Sequence, residues 1–395
     1  MPRVRTGLES FLDPAGDAAG LPRGARLGVV AHPASIDAGG RHLVDRLMHD
    51  GRFRVVRLFG PEHGVRGEAQ DMEVVAEPSD RATGLPVVSL YGDEESSLRP
   101  KPEHLKGLDA IVYDLQDVGT RFYTFVYTLS YVMEAAREAD IPVVVLDRPN
   151  PIGGLAVEGP VLDPNLASFV GRFPLPVRHG MTTGELAHLF RDAFAVGGDL
   201  RVVPMTGWTR GLRFDDTGLP WVLPSPNMPT PETALVYPGG CLVEGTNLSE
   251  GRGTTRPFEW IAAPFLDGAR LELALTRRRL PGARFRAIGF EPAFHKWKGE
   301  RCGGVQVHVT DPARFKPVAT YMALIAEARR QAPRRFRWRK PPYEFEWHKL
   351  PIDLLGGGPS IRRATEGGAQ FRRLEASWRR DLARFARARR PFLLY

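Results

Sequence analysis

Two rhythms of apolar residues alternate along the first two hundred positions. Short β-branched runs occur at 26–31 (RLGVVA), 53–59 (FRVVRLF), 85–91 (LPVVSLY), 110–115 (AIVYDL) and 141–147 (IPVVVLD). Their length and near-continuous hydrophobicity predict strands covered on both faces. Between and after them the spacing becomes helical. Leu43, Val44, Leu47 and Met48 share one face of a helix predicted at 41–48, and 125–137 reads as a second helix. At 182–195, Thr182 or Thr183 can N-cap a helix with Glu185 in its first turn and a stripe of Leu186, Leu189 and Phe190. A strand at 200–204 closes the series. Alternating βα units predict a mainly parallel sheet flanked by helices.

The stretch at 219–230 (LPWVLPSPNMPT) holds four prolines and no period, so it reads as a linker or a rigid binding loop. Beyond it the pattern changes. Strands are expected near 234–237, 284–289 and 305–309, and helices at 271–279, 319–330 and 370–390. That mixture predicts a smaller α+β domain over 229–395, after an α/β domain over 1–228. The 395 residues suffice for two such domains, and 43% apolar with 25% charged residues is an ordinary globular balance.

The formal net charge is +8, which raises the question of a nucleic-acid partner. The charge is uneven: residues 328–395 carry 18 basic and 6 acidic side chains, and the rest carries 36 against 40. In the last predicted helix Phe371, Leu374, Trp378, Leu382 and Phe385 form one apolar stripe, with the arginines mostly off it. That is the pattern of a docked surface helix, so no nucleic-acid partner is expected. Two cysteines, Cys241 and Cys302, can build neither a disulfide framework nor a four-thiolate zinc site. No apolar run approaches the roughly 18–20 residues of a membrane span. No apolar h-region follows the start, so a cytoplasmic location is expected, or a periplasmic or secreted one if a leader precedes this sequence.

Ligands of open parallel sheets bind beyond the carboxyl ends of the strands. Three predicted strand ends there carry Glu62, His63 and Arg66; Asp114, Asp117, Arg121 and Tyr123; and Asp147, Arg148 and Asn150. Glu62, between Pro61 and His63 in a Gly-bounded loop, is a candidate general acid or base. His63 is a candidate proton shuttle rather than a metal ligand, since no H-E-x-x-H spacing accompanies it. Asp114 and Asp117 suit sugar hydroxyls, an acid/base pair, or capping. Asp147 and Arg148 are expected to form an ion pair that fixes the Pro-Asn-Pro turn. Tyr123, Tyr127 and Tyr131 recur every four residues as packing positions, with Tyr123 nearest the strand end. A second polar cluster, Glu244-Gly-Thr-Asn-Leu-Ser-Glu-Gly-Arg-Gly-Thr-Thr255, reads as a binding loop after a strand. Walker A, G-x-G-x-x-G and G-x-S-x-G patterns are lacking, which removes support for P-loop, nicotinamide and serine-triad chemistry.

Four segments in the same order carry a resemblance: Phe59-Gly-Pro-Glu-His-Gly64, Asp114-Leu-Gln-Asp-Val-Gly-Thr-Arg-Phe-Tyr-Thr124, Asp147-Arg-Pro-Asn-Pro151, and Glu244 to Thr254 within the loop above. Together they resemble the exo-β-N-acetylmuramidase (NamZ) family, a former domain of unknown function. The resemblance implies a Rossmann-like N-terminal domain, a smaller C-terminal domain and a cleft between them. It implies hydrolysis of terminal, non-reducing β-linked N-acetylmuramic acid (MurNAc) from peptidoglycan fragments, with no cofactor and no metal. The family's motif glutamate falls on Glu62 as catalytic acid/base, with His63 and Asp114 tuning or orienting it. Glu244, Asn247, Glu250 and Arg252 are expected from the opposite wall, and Asp117, Tyr123 and Asn150 as further substrate contacts. The lactyl carboxylate of MurNAc requires a cation, for which Arg66, Arg121 and Arg252 are candidates. The second catalytic group is left among Glu250, Asp114 and the substrate's own N-acetyl group. The competing reading is a non-catalytic sugar- or nucleotide-binding protein on a doubly wound fold.

Overall fold

Successive βα units feed one sheet, and its strand order decides where a ligand can enter. The structure, a computed structural model, describes residues 3–62, 64–67, 79–92, 94–367 and 371–395. Strands β1 (Arg26–Ala31), β2 (Arg54–Gly60), β3 (Val87–Ser89), β4 (Ala110–Asp114) and β5 (Val143–Leu146) are joined by a later strand after a small antiparallel ribbon, β6 (Glu158–Val161) with β7 (Pro176–Arg178). That later strand, β8 (Leu200–Val203), completes a six-stranded parallel sheet of order β3-β2-β1-β4-β5-β8. The direction of winding reverses between β1 and β4, as in Rossmann-like sheets, and a crevice opens at such a reversal. The fold is α/β, a mainly parallel sheet with a smaller α+β region.

The helices of this part follow their sequence signals. A short helix α1 (Gly7–Phe11) begins with a Thr6/Glu9 capping box, and α2 (Leu43–Asp50) ends on Gly51 in the left-handed region. After α3 (Pro102–Leu105), α4 (Phe125–Glu138) buries almost its whole surface, including Tyr127. Helix α5 (Thr183–Ala193) starts at Thr182, the first of the two threonines expected as its cap, and the Thr182 and Glu185 side chains form a reciprocal capping box. The structure gives the 219–230 stretch no regular element.

The second part departs from expectation at its start. Residues 234–237, expected as a strand, lie inside helix α6 (Pro231–Gly240). Thr230 caps it and Pro231 occupies its first turn, but residues 233–240 are all buried. A helix surrounded by protein has no polar face, so no 3.6-residue stripe betrays it. The smaller sheet is antiparallel, with order β10-β11-β9, from β9 (Trp260–Ala263), β10 (Ala283–Phe290) and β11 (Cys302–Val309). Strand β9 was not anticipated. Helices α7 (Gly268–Arg277), α8 (Pro317–Gln331), α9 (Pro351–Gly356), α10 (Ser360–Glu366) and α11 (Phe371–Ala388) complete the α-helices among the described residues. Among the described residues no helix is long and apolar enough to cross a membrane.

Helix α11 docks by its apolar stripe: Trp378 and Phe385 are buried and Leu374 and Leu382 pack against the core, while Arg379, Arg380, Arg384 and Arg387 face outward. The side chain of Phe371 lies outside the described residues. The largest apolar core runs from Val30 and Phe59 through Tyr237 and Phe258 to Trp378 and Phe385, so both halves share it.

The last residues return to the first sheet. Arg389 is buried and donates to the carbonyls of His179 (2.8 Å) and Gly180 (2.7 Å). Tyr395 donates its hydroxyl proton to Asp147 Oδ2 (2.7 Å) and accepts the amide of Met205 (2.8 Å). Tyr395→Phe leaves that amide and that carboxylate each one partner short. The expected cost is about 1–3 kcal/mol, read as a lower urea midpoint with unchanged slope; a wild-type midpoint would show that the clasp contributes nothing.

Candidate active site

The parallel sheet delivers Glu62 to the crevice by a tight turn. Strand β2 ends at Gly60, and the amide of Gly64 donates to the Pro61 carbonyl at 2.9 Å. Gly64 has φ +80°, which a side chain would oppose, so the turn needs glycine there. Glu62 sits at its corner, half-buried, lining a narrow solvent-open cleft. The segment after β4 contributes Tyr123 and Phe125, with ring centroids 4.9 Å apart; Tyr123 also meets Tyr237 of α6 edge-on at 5.8 Å. Ser225, Asn227 and Met228 of the proline-rich stretch form another stretch of wall, held in part by the Trp221 indole donating to the Met228 carbonyl (3.2 Å).

The opposite wall is built around a buried carboxylate. Glu250 is fully buried and meets Lys296 Nζ at 2.9 Å, His295 Nδ1 at 3.0 Å and Arg252 Nε at 3.6 Å. Burial alone would raise its pKa; Lys296, His295 and Arg252 overcome that and hold the carboxyl well below the usual range. The same Lys296 ammonium donates to the Leu248 carbonyl (3.1 Å). Gly251, at φ +80°, lets the loop pass within reach of the Trp260 and Arg256 carbonyls, where a Cβ would lie 2.7 and 2.9 Å from their oxygens. Arg252 then reaches the cleft, its Nη2 donating to Glu244 Oε1 (3.0 Å). Glu244 Oε2 accepts the hydroxyl of Tyr343 (2.7 Å). The loop follows a helix and a 3₁₀ turn over Cys241–Gly245, not the expected strand.

Of the residues singled out from sequence, the structure gathers Glu62, Tyr123, Glu244 and Arg252 on one cleft. Glu250 stands behind that wall as the support of Arg252. Asp114 lies elsewhere: it is fully buried, and both its oxygens are bonded by the Arg148 guanidinium, with Nη2 at 2.7 Å from Oδ2. The expected Asp147–Arg148 side-chain pair is thereby replaced. Asp147 instead caps α5, accepting from Gly184 N (2.8 Å) and Thr182 Oγ1 (2.7 Å). Arg66 is held by Asp45 (2.8 Å) and Asp80 (3.0 Å), beside a different surface hollow near His42 and Arg46. Arg121 is buried among carbonyls, bonded to Pro160 (2.9 Å), Leu175 (3.0 Å) and Leu355 (2.5 Å). Asn150 ties Ile152 N to the Met181 carbonyl, and Asn247 spans Arg335 O and Arg337 N. None of these residues lines the cleft. His63 lies outside the described residues. Tyr343, Glu344, Ser225 and Asn227 line the cleft without having been singled out. Among the described residues, no group of three His, Cys, Asp or Glu side chains is gathered as a metal ion would need.

With a carboxyl and an arginine facing one aromatic-walled cleft, the arrangement suits acid/base work on an anionic, hydroxyl-rich ligand, the province of glycosidases. Comparison with known proteins agrees. The family description "Exo-beta-N-acetylmuramidase NamZ, N-terminal" matches residues 27–232, and its C-terminal counterpart matches residues 235–395. The chain belongs to this family of glycosidases. It is 45% identical over 394 residues to the peptidoglycan beta-N-acetylmuramidase NamZ of Bacillus subtilis (strain 168), covering 100% of this chain and 92% of that one. A crystal structure of a DUF1343 family protein from Bacteroides fragilis NCTC 9343 superposes with TM-score 0.87 at 33% identity, covering 100% of each chain. A second DUF1343 protein of the same organism gives TM-score 0.77 at 28% identity, covering 99% of each.

Asp117, expected as a substrate contact, is buried and does not line the cleft; it accepts the Gly119 amide at 2.7 Å, with His179 Nε2 at 3.6 Å. Burial pushes its carboxyl up to about 7, against the Gly119 and Val118 amides, and burial also drives His179 down to about 3. The two therefore meet as neutral groups over much of the acid range and not as a salt bridge. A folded pKa above the unfolded one gives stability below about pH 4 that is lost as pH rises toward 7. Asp117→Asn removes that loss, so the variant should gain on wild type from about pH 4 to about pH 7 in urea unfolding and hold that gain above it. A pH-independent difference between the two would contradict the buried-acid account.

Proposed function

We propose that this chain is an exo-acting β-N-acetylmuramidase that removes terminal, non-reducing β-linked MurNAc from peptidoglycan fragments, with Glu62 as its acid. The observation that carries the reading is the placement of Glu62 and Arg252 on one cleft. Glu62 enters as a carboxylic acid and gives its proton to the glycosidic oxygen as the bond to the anomeric carbon lengthens. The aromatic walls of Tyr123, Phe125 and Tyr237 give that oxygen an apolar surround, and a water from the open side of the cleft completes hydrolysis.

Arg252 is the reading's receptor for the lactyl carboxylate. Of the three arginines considered for that task, it is the one whose side chain reaches the cleft. Glu244 and Glu250 fix its planar fork in advance, so binding an anion orders little that was loose.

Two substitutions test this. Glu62→Gln keeps shape and removes the transferable proton; it should lower turnover of a MurNAc-GlcNAc disaccharide by about 10²–10⁴-fold with an unchanged thermal transition. Wild-type release of MurNAc by that variant would end the assignment, and no release by the wild type itself would favour a binding protein. Arg252→Met should shrink the preference for a β-MurNAc over a β-GlcNAc aryl glycoside by about tenfold or more, measured as the ratio of kcat/KM values. An unaltered ratio would place lactyl recognition on another group.

A further inference from the structure

A glycosidase needs a group that meets the positive charge developing at the anomeric carbon, besides the acid that protonates the leaving oxygen. The carboxylates first considered for that task are committed elsewhere. Asp114 is gripped by Arg148 outside the cleft, and Glu250 is buried behind the wall against Lys296 and His295. Glu244 does line the cleft, but one oxygen accepts from Arg252 and the other from Tyr343.

Among the described residues Glu344 also lines the cleft, and it comes from an unusual turn. Residues 343–346 close on themselves, with Tyr343 N donating to Glu346 O (2.8 Å) and Glu346 N to Tyr343 O (2.9 Å). The two residues between, Glu344 and Phe345, both adopt positive φ, +46° and +62°. Two consecutive non-glycine residues in the left-handed region are strained, and such strain persists where surrounding contacts impose it. The contacts are visible on both sides. The Tyr343 hydroxyl is anchored on Glu244, and the Phe345 ring packs edge-on against Phe169 at 5.6 Å. Phe169 in turn packs against Tyr91 at 5.4 Å, whose hydroxyl donates to Thr124 at the head of α4 (2.8 Å). With its two neighbours pinned, the half-buried Glu344 side chain is presented to the same cleft as Glu62.

We propose that Glu344 is the second catalytic carboxylate, the group that faces the anomeric carbon while Glu62 faces the leaving oxygen. The inference rests on the muramidase reading above. In the reaction the bond from the anomeric carbon to the glycosidic oxygen breaks, and Glu62 gives that oxygen its proton. The oxygen of water forms the new bond to the anomeric carbon, and one of the water's protons restores Glu62. Glu344 stays anionic opposite the carbon and stabilises the cation-like transition state.

The leaving group separates the two roles. A MurNAc-GlcNAc disaccharide needs protonation of its leaving oxygen, whereas a 4-nitrophenyl β-MurNAc glycoside needs it far less. Glu344→Gln should lose about 10²–10⁴-fold in kcat on both substrates, with KM little altered. Glu62→Gln should lose activity on the disaccharide and recover much of it on the nitrophenyl glycoside. Wild-type kcat for Glu344→Gln on either substrate, or a loss confined to the disaccharide, overturns the proposal. Loss in Glu344→Gln on both substrates beside full activity in Glu62→Gln would instead remove Glu62 and leave Glu344 standing. Glu344→Asp guards against misfolding, since aspartate tolerates positive φ and keeps the charge while drawing it back by one methylene. At a wild-type melting temperature it should lose at least about tenfold in kcat; unimpaired kcat in that variant overturns the proposal equally.

Discussion

A carboxylate taken wholly out of water must be met by cations, and Glu250 is the place where this chain satisfies that demand. Lys296, His295 and Arg252 converge on it from two segments that would otherwise be free to part. The lysine also gathers carbonyls from the loop's beginning, so the charge cluster sets the backbone path from Val243 to Arg252. Arg252, Glu244 and Tyr343 then follow as a chain of fixed partners ending on the cleft surface. Removing one member of such a cluster is costly because the others are left buried and unbalanced.

The parallel sheet and this cluster do different work. The sheet supplies rigid strand ends, and the turn after β2 carries Glu62 to the point where the winding reverses. The smaller half supplies the charged wall, and its own geometry is partly strained: His295 and Trp297 flank Lys296 at φ +69° and +62°. Strain next to the ion cluster and again at Glu344 marks backbone held by side-chain contacts against its local preference. A binding surface assembled this way is preorganised, which spares the substrate the cost of ordering it.

The β-branched runs and capping signals of the first half were legible because strands buried on both faces and amphipathic helices leave plain periods. The start of α5 is an example, since the sequence offered Thr182 or Thr183 as its cap and the structure uses Thr182. Helix α6 was misread because burial on all sides erases the period. Candidate residues after strands were legible as a set, but not which of them turn inward. Asp114 and Asp117 sit three apart, yet one meets an arginine 34 positions away and the other lies against His179. Partners that distant cannot be read from local spacing. Glu344 escaped notice because it stands within the basic C-terminal stretch, whose arginines dominate its composition. The doubled proline before Tyr343, in PPYEFEW, was the available signal for a fixed turn.

The clasp at Asp147 has a consequence for how the molecule comes together. This one residue, at the end of a central strand, takes the amide of Gly7 on its carbonyl and the hydroxyl of Tyr395 on its carboxylate. Burial pushes that carboxyl up to about 6, so it depends on each donor it receives. The parallel sheet therefore cannot reach its final state from the first half of the chain alone. The end of that strand is finished by residues almost four hundred positions apart, Gly7 and Tyr395, and a piece cut between the two halves would present open seams at Asp147, at His179 and along the shared core. What looks like two modules in series is, in its folding, a loop of chain that closes on itself.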